Sequence, residues 1–176
     1  MQPVRRRSIF KGKKVELVLD EMKLPDGRAV ERELVLHPGA AVILALVRPG
    51  VILLVRQYRY AVGGVLYELP AGTLDPDETP EQCAARELAE ETGFRPGLLR
   101  KLASFWSSPG VLTETMHLFL ASRLRKTARN LDEDERIEVE EVALPDALDR
   151  IRDGRIADAK TIVGILYFAR FEADVP

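Results

Sequence analysis

Glu78, Arg86, Glu87, Glu90 and Glu91 stand close enough in the chain, and at the right spacing, to act together. Spacings of three and four superpose on a helix, so Glu87, Glu90 and Glu91 share one face. Three neighbouring carboxylates repel, at roughly a few tenths of a kcal/mol per pair in an isolated helix. Arg86, four residues before Glu90, neutralises one of these charges. A hard divalent cation offsets the rest. Oxygen-only donors favour magnesium, with manganese as a substitute, and no nearby His or Cys pair supports zinc. The competing reading is a solvated acidic helix face. Further groups are placed for an anionic or polyhydroxyl ligand. Arg59 presents a fixed fork of donors suited to phosphate, unless it is a surface arginine on a strand end. Glu114 can accept hydrogen bonds, or is one more exposed acid. Ser108-Pro109-Gly110 is either a stiff loop near a ligand or an ordinary turn. The run Asp132-Glu133-Asp134-Glu135 reads by charge alone as a solvated loop.

The longer pattern discriminates among these readings. From Gly72 the chain runs Gly, five residues, Glu78, seven residues, Arg86-Glu87-Leu88, one residue, Glu90-Glu91, one residue, Gly93-Phe94. This resembles the complete signature of the Nudix hydrolases. The resemblance implies an α/β/α sandwich around a mixed sheet, here with an N-terminal antiparallel hairpin layer. It also implies magnesium-dependent hydrolysis of a nucleoside diphosphate linked to another group. By that resemblance Glu87 and Glu91 are metal ligands with Glu90 beside them, and the backbone carbonyl of Ala71 joins them. Arg86 orients the glutamates and Glu78 is a supporting ionic partner.

Between about Val15 and Phe171 the chain is also similar to bacterial ADP-ribose pyrophosphatases. The matching segments are Arg32-Glu33, His37-Pro38-Gly39-Ala40, Arg56-Gln57-Tyr58-Arg59, Glu68-Leu69-Pro70-Ala71-Gly72, Ser108-Pro109-Gly110 and the acidic run. This similarity implies hydrolysis of ADP-ribose to AMP and ribose 5-phosphate. It places Arg59 on the phosphates, Ser108, Pro109, Gly110 and Glu114 near a ribose, and the main chain of Thr73 at the terminal ribose. It makes Glu133 the general base and Glu135 a further metal ligand, although a glutamate of the box can also serve as base. It implies a homodimer that exchanges its N-terminal strands, so that Arg32 and Glu33 reach the neighbour's nucleotide site. For the base, Phe10 offers stacking, and Lys14 with Arg32 offers cation stacking. Other nucleoside diphosphate sugars such as GDP-mannose remain alternatives. So does a ligand-sensing module without turnover, against which the intact Glu87, Glu90 and Glu91 argue.

These residues need elements to hold them. Residues 15–22 and 29–37 flank Leu24-Pro25-Asp26-Gly27, a hairpin signal. Residues 40–47 and 51–58 flank Arg48-Pro49-Gly50 and are nearly all apolar, as in a sheet covered on both faces. A boundary near residue 38 divides an N-terminal hairpin unit, 1–38, from the hydrolase domain, 39–176. Thr79-Pro80-Glu81-Gln82 opens a helix that runs to Thr92 and stops at Gly93. Strands over 99–106, 115–122 and 137–144 follow, then helices over 145–154 and 159–170. Trp106 is expected to anchor the core, and Cys83 to be a packing residue or a free thiol.

Composition limits the alternatives. The 176 residues carry 26 Lys+Arg against 28 Asp+Glu, too balanced for a bulk grip on nucleic acid. Arg5-Arg6-Arg7 reads as a solvated tail. A single cysteine excludes an internal disulfide framework. The longest apolar stretch, 40–47, is far short of the ~20 residues of a membrane span. No apolar segment follows the N-terminus, so the expected location is the cytoplasm. The 17 glutamates outnumber the 11 aspartates, and the box and the acidic run account for six of them.

Overall fold

The computed structural model describes residues 3–131 and 136–172. Its first element falls where the sequence reads as a tail. Arg5–Lys11 is strand β1, antiparallel to β2 (Glu16–Lys23). The reason is local. Arg6 donates through Nε and Nη2, each at 2.7 Å, to the carboxylate of the buried Asp20 across the ladder. β2 pairs in turn with β3 (Ala29–Leu36), through a turn in which Gly27 has φ +86°. A positive φ of that size is cheap only for glycine.

Strands β4 (Ala40–Arg48) and β5 (Val51–Arg59) follow, then a 3-10 turn at Tyr60–Val62. Two short strands, β6 (Gly64–Glu68) and β7 (Ala71–Thr73), lead into helix α1 (Pro80–Thr92). The rest is β8 (Phe94–Arg95), β9 (Leu98–Trp106), β10 (Thr115–Ser122), β11 (Arg125–Lys126), β12 (Ile137–Ala143), α2 (Leu144–Arg152) and α3 (Ala159–Phe171). The central sheet has the order β12-β5-β4-β10-β9. Its β4–β10 ladder is parallel and the others are antiparallel, so the sheet is mixed.

The period-2 alternation of β4 sends its side chains to two cores. Val42 and Leu44 join Ile52, Leu54, Leu69 and Leu118 beneath α2 and α3, which contribute Ala147, Ile165 and Phe168. Ala41, Ile43 and Ala45 join Leu53, Phe119 and Ala121 beneath α1, which contributes Cys83, Ala84 and Leu88. That double burial is why β4 and β5 are apolar throughout. It makes the molecule a layered α/β sandwich, with the three N-terminal strands as an added layer.

One feature of the sheet creates the site. β4 and β5 pair only near their turn, at Leu46–Ile52 and Arg48–Val51. Beyond it they part, β7 taking the edge of β4 and β6 that of β5. The chain crosses from one to the other at Leu69-Pro70. Trp106 corrects the expectation of a core anchor. It ends the outermost strand, β9, and is 66% exposed, while Phe119 on the interior strand β10 fills the core. Among the described residues no helix is long and apolar enough to cross a membrane.

Candidate active site

Helix α1 begins and ends as its sequence dictates. Thr79 accepts from the backbone N–H of Gln82 at 3.2 Å, while Gln82 Oε1 accepts from the N–H of Thr79 at 2.9 Å. Gly93 closes the helix at φ +74°. The buried stripe is Cys83, Ala84, Leu88, Glu91 and Thr92, so it is turned away from Ala85 and Ala89 and takes one carboxylate inside. Glu91 is only 3% exposed, and its Oε2 accepts from the N–H of Ala71 at 3.2 Å. The helix is thereby tied to the strand that precedes the box.

Arg86 organises the rest of this face. It donates to both oxygens of Glu78 at 2.8 Å, to Glu87 at 2.7 Å, to Glu90 at 3.0 Å and to the carbonyl of Thr73 at 3.3 Å. The guanidinium holds the Glu78 carboxyl below the usual carboxylate range. These contacts offset the repulsion among the glutamates. Gly72 has a steric reason to be glycine. A Cβ there would fall 1.8 Å from Cδ and Oε1 of Glu87, inside the carboxylate itself. Cys83 lies below, its thiol pushed up to about 12 by burial and by Glu78 and Glu87, so it packs as a neutral group.

The cleft in front of this face has a volume of about 500 Å³. Glu87, Glu90, Glu91 and Ala71 to Thr73 form one wall, and Arg59, Lys160 and Lys14 also border it. Arg59 is braced by Glu68, at 2.7 Å through Nε and at 2.7 Å through Nη2. Glu68 also meets Lys160. Burial works to raise the Glu68 carboxyl, but Arg59 and Lys160 outweigh it and hold it below the ordinary range. The cleft therefore offers hard oxygen donors on one wall and N–H donors nearby. That combination suits a divalent cation together with a phosphorylated ligand.

Among the described residues no three His, Cys, Asp or Glu side chains converge as a finished metal cage. Arg86 engages Glu87 Oε1 and Glu90 Oε2, and Ala71 engages Glu91. The donor set itself, carboxylates and a backbone carbonyl, fits magnesium or manganese.

The structure brings together Arg59, Ala71, Thr73, Arg86, Glu87, Glu90, Glu91 and Glu114 at one cleft. Glu114 sits 3.5 Å from His37 Nδ1. Ser108, Pro109 and Gly110 are not among the residues lining it. Their loop is bound to the N-terminal layer, where Val35 and Val111 to Thr113 exchange backbone hydrogen bonds. Arg32 and Glu33 lie on β3, also away from the cleft of their own chain. Glu133 and Glu135 lie outside the described residues. Sequence reasoning missed Lys160, because its pairing with Glu68 is a contact across 92 residues. It also missed Arg129, which donates to the carbonyls of Glu91 at 2.5 Å and Ile137 at 2.6 Å, and so ties β12 to the end of α1.

The chain is similar to several known proteins. The family model described as NUDIX domain matches residues 35–162. The chain is 42% identical over 172 residues to an ADP-ribose pyrophosphatase of Bacillus subtilis, covering 97% of this chain and 93% of the relative. It is 40% identical, with the same coverage, to a methanol dehydrogenase activator of Bacillus methanolicus. A GDP-mannose pyrophosphatase of Cronobacter sakazakii is 41% identical over 134 residues, 71% of this chain and 70% of the relative. Among solved structures, an ADP compounds hydrolase superposes with a TM-score of 0.84 at 20% identity, covering 96% of this chain and 93% of that one, which is a likeness of fold.

Proposed function

Because the chain belongs to the Nudix hydrolase family, we propose that it hydrolyses the pyrophosphate bond of ADP-ribose, with magnesium, to AMP and ribose 5-phosphate. The observation that carries this reading is the single cleft in which the oxygen donors of α1 and β7 meet Arg59 and Lys160. A diphosphate is a charged electrophile that resists attack by water. Glu87, Glu91 and the carbonyl of Ala71 would hold the metal, with Glu135 completing the set. When bound, the metal screens the diphosphate and lowers the pKa of a coordinated water. The protein's own residues do the rest. Arg59 orients the phosphates through donors fixed by Glu68. Glu133 accepts the proton of the attacking water. The water oxygen bonds to phosphorus as the bridging P–O bond breaks, and the two phosphate monoesters leave. Arg86 keeps Glu87 and Glu90 in place without touching substrate.

Glu114 and the main chain of Thr73, which border the cleft, serve the ribose side. The working form is a cytoplasmic homodimer in which the N-terminal strands deliver Arg32 and Glu33 to the neighbour's nucleotide. Two observations favour second readings. The GDP-mannose pyrophosphatase relative supports another nucleoside diphosphate sugar as substrate. The relative described as a methanol dehydrogenase activator, similar over the same span, favours a role in activating another protein.

A substrate panel separates these readings. With magnesium present, ADP-ribose is expected to turn over faster than GDP-mannose or a nucleoside triphosphate, with AMP identified by chromatography. Equal or faster turnover of GDP-mannose overturns the substrate assignment, and no turnover of any of them overturns the catalytic one.

A further inference from the structure

Glu68 ends β6 at the sheet opening and is only 1% exposed, yet it is surrounded as an ionised group. Arg59 binds both its oxygens, and Lys160, in the first turn of α3, binds one of them. Lys160 also lies 3.0 Å from Asp158. Two cations and two carboxylates cancel, so the cluster supplies directed donors rather than a net field. An arginine has five N–H donors and a lysine three. The carboxylate contacts engage Nε and Nη2 of Arg59, and Lys160 Nζ meets one oxygen each of Glu68 and Asp158. Both side chains border the cleft with donors to spare, and Arg59 also feels the charge of Glu91 across it.

A purely structural purpose would be to pin α3 against the strand crossing. That purpose is served elsewhere. The N–H of Leu69 donates to Thr161 Oγ1 at 2.8 Å, and Thr161 donates to Asp158 at 2.6 Å. Gly164 lets α3 approach so closely that a Cβ there would lie 2.6 Å from Leu69 Cδ1.

We propose that Lys160 is a substrate-binding residue which, with Arg59, donates to the substrate's diphosphate, and that buried Glu68 is the positioning residue that aims both. This deepens the pyrophosphatase reading and rests on it for the identity of the ligand. The test compares wild type with Lys160→Met, Lys160→Arg and Glu68→Gln. KM and kcat are measured with magnesium, and the Kd for ADP-ribose by calorimetry in EDTA, where only protein groups hold the phosphates. Lys160→Met is expected to raise Kd and KM about tenfold with kcat within about twofold, the pattern of lost ground-state binding. Lys160→Arg is expected to retain most of the affinity.

Glu68→Gln sharpens the test because it makes the cleft more positive. Simple attraction would tighten binding, whereas loss of aim weakens it and raises KM. An unchanged Kd and KM in Lys160→Met, or a tighter Kd in Glu68→Gln, overturns the proposal. Should Glu68→Gln fail to fold, as read by its thermal transition, the two Lys160 variants decide alone. Should the wild type prefer GDP-mannose, the same titrations use GDP-mannose. The diphosphate is common to both, so a wrong substrate leaves this inference separately testable.

Discussion

At Gly72 the space of one methyl group separates a working cleft from a disturbed one. The Cβ of an alanine there would land on the Glu87 carboxylate, whose own Cδ is 1.8 Å from that point. A glutamate end is mobile, so it would swing aside rather than break the strand. Gly72→Ala is therefore expected to keep its thermal transition within a few degrees of wild type and, on the proposed role of Glu87, to lose roughly 10–100-fold in kcat, the usual cost of disturbing the surroundings of a metal site. A variant that melts far earlier, or keeps full activity, contradicts this account of the glycine. The box residues were legible in the sequence because a helix turns fixed spacings into shared faces. Glu78, Arg86, Glu87 and Glu90 are linked within twelve residues. Lys160 was not legible, because only the fold carries it to Glu68.

At the scale of elements, β5, β6 and α3 meet around Glu68. Its carboxyl lies below the ordinary range when folded, since Arg59 and Lys160 outweigh the opposing effect of burial. A group of this kind stabilises the fold at pH values above the unfolded carboxylate pKa of about 4.3. The stabilisation disappears as pH falls through the lower folded value. Chemical denaturation between neutral and acid pH is expected to show a falling stability in wild type and a shallower fall in Glu68→Gln. Equal slopes would mean that other carboxylates carry the acid sensitivity. β4 and β5 were legible as a doubly covered pair from their apolar runs, and α1 from its cap and its closing glycine. β6 and β7 were not, because five and three residues are too few to display a period. β1 was hidden by three consecutive arginines, one of which proves to pair from the surface with the buried Asp20. Trp106 misled because a large aromatic says nothing of whether its strand is central or at an edge.

For the whole molecule, the N-terminal layer exposes Val4, Ile9 and Phe10 and sits on its own chain through Val35 and residues 111–113. The proposed exchange makes each active site a joint product of two chains. Subunit complementation tests that arrangement. Arg32→Ala and Glu91→Gln are each expected to cripple a homodimer. Reassembled together at equal amounts, they place an intact Arg32 opposite an intact box in one site of every mixed dimer. Random pairing then predicts recovery of about a quarter of wild-type activity. A mixture no more active than its components would show that Arg32 does not act across the interface. The composition describes a nearly neutral protein without a bulk electrostatic grip on nucleic acid. The fold shows that this neutrality is an average, with carboxylates gathered on α1 and cations held close to them.

The central claim is that the glutamate face of α1 performs metal-dependent hydrolysis of a nucleotide sugar. Its most direct test follows AMP and ribose 5-phosphate by chromatography after ADP-ribose is added to wild type and to Glu91→Gln, each with magnesium and with EDTA. The account predicts equal amounts of the two products from the wild type with magnesium only. It also predicts a loss on the order of 10³-fold in folded Glu91→Gln. Product formed by the wild type in EDTA, or at a near-normal rate by Glu91→Gln, would contradict it.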